Sequence, residues 1–457
     1  MGKYFGTDGV RGKANQFLTP ELAFALGRAA ASVLHKDNEH KINQIVIGKD
    51  TRISGDMLEA ALSAGICSVG VQPILLGIIP TPGVAVICQN MQLPGVVISA
   101  SHNNFADNGI KFFSAQGYKL PDSVEDEIEY LIDNPDSIEI CLGEDIASID
   151  CLANAIDIYE EHLKKQPTLN LQGWKIVVDS AHGAASGLAQ RLLASMGADI
   201  ISIGDAPNGY NINDGCGSTQ PKLLMEMVIK EKAQLGIALD GDADRIIVVD
   251  ENGKVVDGDK ILAICAKDMK EKNRLKNDLL IVTVMSNMGL NLYMQSLGVK
   301  VLDTQVGDRY ILEKMLETGA VLGGEQSGHI IFGEYNTTGD GLAGALYILK
   351  IMTESQKSLS VLAEDMQLLP QVLLNVPVTE KSGWQDDADI FSAYNEAQAI
   401  LDGQGRVLLR PSGTEPVLRV MAEGQDKKQL TELVHKIAAI IHQKRGLLIE
   451  TDKVCVE

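Results

Sequence analysis

The chain has 457 residues, of which 45% are hydrophobic and 22% charged, with 44 glycines. This composition is typical of a globular protein and excludes a disordered or fibrous one, and the length predicts roughly three domains at about 150 residues each. The 61 acidic residues outnumber the 40 basic ones, so the formal net charge is -21. That charge opposes binding to nucleic acid or to an anionic membrane, and any anionic ligand needs local positive charge.

The N-terminal sequence MGKYFGTDGVRG lacks the apolar run of a signal peptide, and no later stretch approaches the roughly 18 uninterrupted apolar residues of a membrane span. We therefore expect a cytoplasmic protein with no membrane partner. The seven cysteines are scattered and never spaced as CxxC. The sequence thus indicates neither a disulfide framework nor a zinc site.

An internal repeat organises most of the chain. Three segments place Ser-x-Gly before a β-branched run, as where a helix ends and a strand begins: SVGVQPILLG from Ser68, SMGADIISIG from Ser195 and SLGVKVLDTQ from Ser296. The strand candidates that precede them are, in the same order, IVIGKDTR, KIVVDSAHG and LLIVTVMSN. The strand candidates that follow them are GVVISASHN, LGIALDGDADR and GAVLGGEQSGH. Stretches of helical periodicity such as AQRLLASMGA lie between the strands, so the pattern predicts βαβ units.

The repeat predicts an α/β protein of three tandem related domains with mixed, mainly parallel sheets. After about residue 368, LLPQVLLNVPVTEK and GRVLLRPSGTEPVLRVMAEG read as strands and LTELVHKIAAIIHQ as an amphipathic helix, which predicts a smaller C-terminal α+β domain. We predict domains at 1–150, 151–255, 256–368 and 369–457. Because sites form at the carboxyl ends of parallel strands, the loops SASHN, DGDADR and GGEQSGH are expected to converge on one cleft.

The loop DGDADR predicts a metal site. It places Asp240, Asp242 and Asp244 at alternate positions after an apolar run, and carboxylates so close together repel each other unless a cation binds. Oxygen ligands without His or Cys favour Mg²⁺ over zinc. An EF-hand is excluded because Arg245 stands where its sharp turn needs glycine and RIIVVD continues as a strand. A solvated acidic turn is the alternative.

The turn RPSGTEPVLR is suited to a phosphate dianion. Its guanidinium groups, hydroxyls and free amides are the usual partners of phosphate, and the candidates are Arg410, Ser412, Gly413, Thr414 and Arg419. A polar hairpin turn without a ligand is the alternative.

The loop GGEQSGH offers Glu325, Ser327 and His329 between glycines that allow close backbone approach. This mixture of donors and acceptors suits a sugar, although a glycine turn with a surface histidine has the same pattern. The stretch TQVGDR, with Thr304, Gly307 and Asp308, ends the second strand of the same repeat and is expected to border the same cleft.

The stretch ISASHNNFADNGIKFF breaks from a buried strand into small polar residues, and we expect it to expose Ser101. It lacks the GxSxG pattern of a hydrolase. A serine that transfers a phosphoryl group needs a nearby cation and positive side chains. The acidic loop would hold the cation, and the candidate cationic neighbours are His102, Lys111, Arg11 and Arg245. Alternatively, the loop merely caps the segment that follows.

Taken together, these motifs resemble the α-D-phosphohexomutase family, and within it most closely the bacterial phosphoglucosamine mutases. The resemblance spans nearly the whole chain. It rests on FGTDGVRG, SASHN with DNGIKFF, DGDADR, GGEQSGH and RPSGTEP, in the family's order and approximate spacing. One departure is Asn104, where relatives usually carry proline soon after the serine, so the loop is expected to be looser.

The resemblance implies four domains around a central cleft and a serine carried as phosphoserine, so that phosphorylation of Ser101 is needed for activity. One Mg²⁺ per active site would bind Asp240, Asp242, Asp244 and an oxygen of the Ser101 phosphate. Arg11, Lys111, Arg245 and His329 match positions that stabilise charge or shuttle protons. Glu325 and Ser327 resemble the sugar contacts, and the RPSGTEP turn resembles the grip on the nonreacting phosphate.

The implied reaction interconverts glucosamine 6-phosphate and glucosamine 1-phosphate through a 1,6-bisphosphate, and supplies UDP-N-acetylglucosamine for cell-wall synthesis. The expected partner is a small phosphosugar, with no nucleic acid, and a homodimer is an expected assembly. A phosphomannomutase or phosphoglucomutase is the nearest alternative, although Gln326 and FGTDGVRG resemble the glucosamine branch. A noncatalytic phosphosugar-binding protein is the alternative from another class.

Overall fold

The computed structural model describes residues 2–6, 8–36, 43–165, 169–412 and 416–447. The chain forms two compact units. The first comprises Met1–Ser286 and Leu297–Asp365, and the second comprises Asn287–Ser296 and Met366–Glu457. Among the described residues, no helix is both long enough and apolar enough to cross a membrane.

The first sheet has six strands, and its part of the chain also carries five helices. The strands are β1 (Val10–Lys13), β2 (Gln44–Lys49), β3 (Gln72–Ile78), β4 (Gly95–Ile98), β5 (Asp107–Phe113) and β6 (Asp150–Cys151). The helices are α1 (Pro20–Lys36), α2 (Gly55–Cys67), α3 (Thr81–Met91), α4 (Asp122–Asp133) and α5 (Ala155–Lys164). The strand order is β1-β5-β4-β2-β3-β6. Helices α1 and α2 can pack closely because Gly27 has no side chain: a Cβ there would lie 2.3 Å from the carbonyl oxygen of Leu62.

The second and third sheets follow in chain order. The second consists of β7 (Lys175–Asp179), β8 (Asp199–Ile203), β9 (Leu235–Leu239), β10 (Ile246–Asp250) and β11 (Val255–Val256), with α6 (Leu188–Ser195) and α7 (Lys222–Glu231). The third consists of β12 (Leu279–Thr283), β13 (Lys300–Thr304), β14 (Leu322–Gly324) and β15 (Ile330–Phe332). The helices in this part are α8 (Gly258–Glu271), α9 (Met288–Ser296), α10 (Asp308–Thr318), α11 (Gly341–Ser355) and α12 (Leu359–Glu364). Helix α9 belongs to the second unit.

The three sheets share one motif, which confirms the predicted repeat. The parallel strands lie in the orders β4-β2-β3, β9-β7-β8 and β14-β12-β13. Strands β5, β10 and β15 return antiparallel to β4, β9 and β14, respectively. The glycines of the Ser-x-Gly signals, Gly70, Gly197 and Gly298, have φ of +76°, +97° and +70°. Glycine adopts this left-handed conformation without a Cβ clash, so the signal marks the turn from helix to strand.

The C-terminal part of the chain is the smaller α+β domain that the sequence predicts. It contains β16 (Gln371–Pro377), α13 (Ala388–Leu401), β17 (Gly405–Pro411), β18 (Val417–Gly424) and α14 (Lys427–Arg445). The strands form an antiparallel sheet in the order β16-β18-β17. Leu374, Val420 and Ile437 belong to its apolar core. The predicted boundaries near 150, 255 and 368, and the placement of this domain at a cleft, stay predictions.

Candidate active site

Three loops meet at the ends of the equivalent strands β4, β9 and β14, as the repeat predicts. Glycines make the contact possible: a Cβ at Gly241 would lie 2.6 Å from the carbonyl oxygen of Ser101, and one at Gly328 would lie 2.0 Å from that of Ile246. The Ile246 N–H donates to the Gly328 carbonyl at 3.0 Å. The loops that carry the serine, the aspartates and the sugar-binding candidates therefore form one site within the first unit.

Ser101 lies in the loop between β4 and β5 and is 1% exposed. Its hydroxyl donates a hydrogen bond of 2.6 Å to Oδ2 of Asp240, and its φ of +51° lies in the left-handed region that non-glycine residues rarely adopt. The expectation that Ser101 is exposed is wrong, because the aspartate loop packs directly against it. The strained backbone instead aims the hydroxyl at a carboxylate.

The three aspartates form a buried cluster in which one carboxylate oxygen of each lies within 4.8 Å of those of the other two. Oδ1 of Asp242 and Oδ1 of Asp244 are buried and have no hydrogen-bond partner among the described residues. Burial, together with the charges of Asp244 and Asp242, raises the pKa of Asp240 well above its usual range. Unpaired buried carboxylate oxygens are costly unless a cation coordinates them. The donor set therefore fits a hard divalent metal ion.

Lys111 is the buried cation beside this cluster. Its Nζ lies 3.1 Å from Oδ2 of Asp242, 3.3 Å from Oδ2 of Asp8 and 3.6 Å from Oδ2 of Asp244. Burial lowers the pKa of Lys111, but the three carboxylates raise it by more than burial lowers it, so that the pKa lies well above its usual value. Lys111 is therefore held as an ammonium.

Two arginines add positive charge at the same place. Arg11 pairs with Asp8, and Nε of Arg245 lies 3.9 Å from Oδ1 of Asp244. The Nε atoms of both arginines are buried without a hydrogen-bond partner among the described residues. Donors in this condition are suited to an anionic group.

The pKa values of the two histidines are shifted in opposite directions. Nδ1 of His102 lies 3.4 Å from the Ser101 hydroxyl oxygen, and burial, with the charges of Arg245 and Arg11, lowers the pKa of His102 to about 4. The expectation that His102 is a cationic neighbour is therefore wrong, since the imidazole is neutral near pH 7. Burial lowers the pKa of His329, but the charge and hydrogen bond of Asp244 outweigh this effect, so that the pKa lies above its usual value. The Gly339 N–H donates to Nε2 of His329 at 3.0 Å.

The candidate sugar contacts are held more loosely. Oε1 of Glu325 accepts the Gly307 N–H at 3.3 Å, and its Oε2 accepts the hydroxyl of exposed Ser327 at 3.5 Å. The Thr304 hydroxyl instead donates to two main-chain carbonyls, and Asp308 pairs with Lys119 at 2.5 Å. The structure thus gives Thr304 and Asp308 partners within the protein, and their contact with a substrate stays a prediction.

The predicted phosphate grip lies in the second unit. Arg410 and Arg419 are direct neighbours across β17 and β18, and Arg419 Nη2 lies 3.4 Å from the Ser412 hydroxyl oxygen, to which it donates. Burial and the charge of Arg419 lower the pKa of Arg410. A bound dianion would relieve the repulsion between these guanidinium groups. Gly413 and Thr414 lie outside the described residues.

Several residues of the site escaped the sequence analysis. Thr81 donates its hydroxyl to Oδ2 of Asp242 at 2.7 Å and its N–H to the Asp242 carbonyl at 2.9 Å. Asp8 and Lys119 extend the ion-pair network of Lys111. Asp8 could have been found within FGTDGVRG and Thr81 within PTPG at the start of α3, whereas nothing local to Lys119 marks it.

Comparison with known proteins identifies all parts of the chain with one family. Models of phosphoglucomutase/phosphomannomutase alpha/beta/alpha domains I, II and III match residues 2–139, 155–253 and 257–369, and the model of the C-terminal domain matches residues 373–440.

Among curated proteins, the phosphoglucosamine mutase of Heliobacterium modesticaldum is 50% identical over 97% of this chain and 100% of its own length. That of Symbiobacterium thermophilum is 52% identical over 96% of this chain and 99% of its own length.

Solved structures share the fold. A phosphoglucomutase/phosphomannomutase family protein from Burkholderia thailandensis has a TM-score of 0.79 at 22% identity, over 96% of this chain and 99% of its own. The N-acetylphosphoglucosamine mutase of Aspergillus fumigatus, in complex with GlcNAc-6P and magnesium, has a TM-score of 0.65 at 18% identity, over 92% of this chain and 96% of its own.

Proposed function

Because this chain belongs to the phosphoglucomutase/phosphomannomutase family, we propose that it is an isomerase that interconverts glucosamine 6-phosphate and glucosamine 1-phosphate. The observation that carries this choice of substrate is the identity of about half of all residues, over nearly the full length, with proteins named phosphoglucosamine mutase. The first unit supplies a serine, a carboxylate cluster and buried cations in one place, which is the equipment that phosphoryl transfer needs.

Ser101 is the proposed phosphoryl carrier. In the first half-reaction the Oγ–P bond of phosphoserine breaks and a bond from phosphorus to O1 of glucosamine 6-phosphate forms, while the O1 proton passes to a base and Oγ takes up a proton. In the second, the O6–P bond of the resulting 1,6-bisphosphate breaks and Oγ regains the phosphoryl group, while the Oγ proton passes to a base and O6 takes up a proton. The bonds made and broken balance, so no nucleotide is consumed. The short hydrogen bond from Ser101 to Asp240 supports this role.

Magnesium is the proposed metal, and Asp240, Asp242 and Asp244 would hold it with an oxygen of the Ser101 phosphate. When bound, the ion would neutralise charge on the transferring phosphoryl group. The buried Oδ1 atoms of Asp242 and Asp244 are the donors that the protein leaves available for it.

Lys111, Arg11 and Arg245 are proposed to act as fixed cations around the phosphoryl oxygens. Arginine does not deprotonate in proteins, and three carboxylates keep Lys111 protonated, so none of the three is suited to take a proton. Of the two histidines, His329 is the group proposed to exchange a proton near neutral pH, since its pKa is raised above the usual value whereas that of His102 is lowered to about 4. Fixed charge of this kind stabilises a transition state without reorganisation of the protein.

For the substrate, we propose that Glu325 and Ser327 bind sugar hydroxyls, with Gly307 supporting Glu325, and that Arg410, Ser412, Gly413, Thr414 and Arg419 bind the nonreacting phosphate. Gln326 donates its amide to Asp257 at 3.4 Å, so the residue that resembles the glucosamine branch supports the loop. The cytoplasmic location and the homodimer stay predictions.

Mass spectrometry of the intact protein and of its peptides tests the proposal. Phosphate is expected on Ser101 and is expected to leave when glucosamine 6-phosphate and Mg²⁺ are added. A Ser101 that is unmodified, and that a hexose 1,6-bisphosphate cannot phosphorylate, would instead favour a binding protein. Parallel assays with glucose and mannose phosphates rank the substrates.

A further inference from the structure

Arg52, which the family motifs above do not include, is built into the underside of the Ser101 loop. It follows β2 in the turn before α2, and its side chain is 0% exposed. All five of its N–H donors have acceptors: Nε donates to Asp50 Oδ2 at 2.9 Å, Nη1 to the carbonyls of Asn104 and Asp107, and Nη2 to those of Ser101 at 3.0 Å and Asn103 at 2.8 Å. Four of the five donors therefore end on main-chain oxygens of the Ser101 loop and of Asp107, the first residue of β5.

Such a convergence of buried carbonyl groups requires several hydrogen-bond donors at one place. Buried carbonyl oxygens that point at one place repel each other and lose their hydrogen bonds to water. A guanidinium satisfies them because it presents five donors in a rigid plane, whereas lysine offers three donors from a single atom. Ser101 adopts a left-handed φ in this same loop, a conformation that persists only where its surroundings impose it.

Two neighbours complete the arrangement. Oδ1 of Asp50 accepts the Arg52 N–H at 2.9 Å, and the Asp50 N–H donates to the Ile98 carbonyl at 3.1 Å, which ties the turn to the end of β4. Asn213, between β8 and α7, donates Nδ2 to the carbonyls of Ser101 and Asn103, both at 2.8 Å. The loop is thus held through its carbonyls by side chains from two of the repeats.

We propose that Arg52, assisted by Asn213, is a positioning residue for phosphoryl transfer: it imposes the main-chain conformation that presents the Ser101 hydroxyl to Asp240. It acts through the loop, since its side chain donates hydrogen bonds to carbonyl oxygens of that segment and to Asp50. The expected effect of Arg52 on the rate of phosphoryl transfer rests on the proposed function, whereas its effect on the conformation of the loop does not. The loop that carries Asn104 in place of proline is held by this guanidinium.

The test compares Arg52→Lys and Asn213→Ala with the matched control Arg28→Lys. Arg28 lies in α1 of the same domain and donates to the Ser68 hydroxyl. In single turnover from phosphorylated Ser101 to glucosamine 6-phosphate, Arg52→Lys is expected to slow transfer by about 100-fold, because a misplacement of about 1 Å has that effect. We expect KM to change by less than about threefold, Asn213→Ala to slow transfer by about tenfold, and Arg28→Lys to transfer at the wild-type rate.

Hydrogen exchange of the peptide 99–107 supplies a readout that does not depend on activity. In the wild type the N–H groups of Ser101, Asn103 and Asp107 are hydrogen-bonded within the loop. Arg52→Lys is expected to speed their exchange at least about tenfold while β4 and β5 keep their protection. A folded Arg52→Lys protein with wild-type exchange and wild-type transfer would overturn the proposal.

If Arg52→Lys does not fold, Asn213→Ala decides, since it removes a donor to two of the same carbonyls and leaves the guanidinium in place. Unchanged exchange and unchanged transfer in that variant would also overturn the proposal. If the wild type transfers no phosphoryl group from Ser101, the proposed function fails, but the exchange comparison still decides whether Arg52 holds the loop.

Discussion

The two ends of the site in the first unit are built differently. At the reacting end, Ser101, Asp242 and Lys111 are each no more than 1% exposed, and short hydrogen bonds or ion pairs hold them. At the proposed sugar end, Glu325 is half-buried and Ser327 exposed, and their hydrogen bonds are 3.3 and 3.5 Å long. Phosphoryl transfer benefits from fixed charged groups in a site that excludes water, whereas a sugar substrate must enter and leave. The difference teaches that rigidity is placed at the end of the site where the bonds are proposed to change.

Ser101→Ala is expected to have the largest effect, a loss of mutase activity of about 10⁴-fold or more, because the phosphoryl carrier is removed. The variant should still fold, since the substitution removes only one hydroxyl group. Initial rates and thermal unfolding measure the two effects. Normal turnover by a folded Ser101→Ala protein would remove the carrier assignment.

Asp240→Asn is expected to lower magnesium-dependent activity by about 10²- to 10³-fold. Burial and the neighbouring carboxylates disfavour the charged form of Asp240, so the neutral amide should leave the metal-free protein as stable or more stable. Thermal unfolding with EDTA and with Mg²⁺ checks this, because ligand binding to the folded state raises the unfolding temperature. Asp205→Asn, at an exposed position, is the control and should keep the full response to Mg²⁺. An equal response in Asp240→Asn would count against the metal site.

Lys119→Met tests the ion-pair network behind the reacting end. Lys119 bridges Asp8 and Asp308, so its loss removes the lysine partner of largely buried Asp308 and one of three cations beside Asp8, and should lower the free energy of unfolding by about 3 kcal/mol. Denaturant unfolding measures the change. The double variant Lys119→Met with Asp308→Asn should recover part of it, and a single variant as stable as the wild type would contradict the network.

Glu325→Gln tests the sugar end. We expect KM for glucosamine 6-phosphate to rise about tenfold and kcat to fall less than about threefold, because a binding contact common to the ground and transition states is weakened. Unfolding should be unchanged to within about 0.5 kcal/mol. Steady-state kinetics provide the measurement, and a large fall in kcat at constant KM would instead place Glu325 at the reacting end.

Asn104→Ala should have the smallest effect. Its side chain accepts the Ala106 N–H at 3.0 Å, whereas its carbonyl is the atom that Arg52 holds. Activity should stay within about threefold of the wild type and stability within about 1 kcal/mol. A large loss of activity in this variant would show that the loop depends on the Asn104 side chain rather than on the guanidinium.

Much of the fold was predictable because its signals are local. The Ser-x-Gly turns, the strand runs and the three equivalent loops appear in the sequence at regular positions, and the structure places them as expected. The charge and exposure of individual side chains were less predictable. Ser101 was expected at the surface and His102 as a cation, but burial and neighbouring arginines reverse both expectations.

The sequence by itself determined which carboxylates cluster, because Asp240, Asp242 and Asp244 are joined by a few bonds after one strand. Only the tertiary structure decided what surrounds them. Thr81 reaches Asp242 across 161 residues, and Asn213 reaches Ser101 across 112. Such partners carry no local signal, since packing of distant segments selects them and determines burial, protonation and orientation.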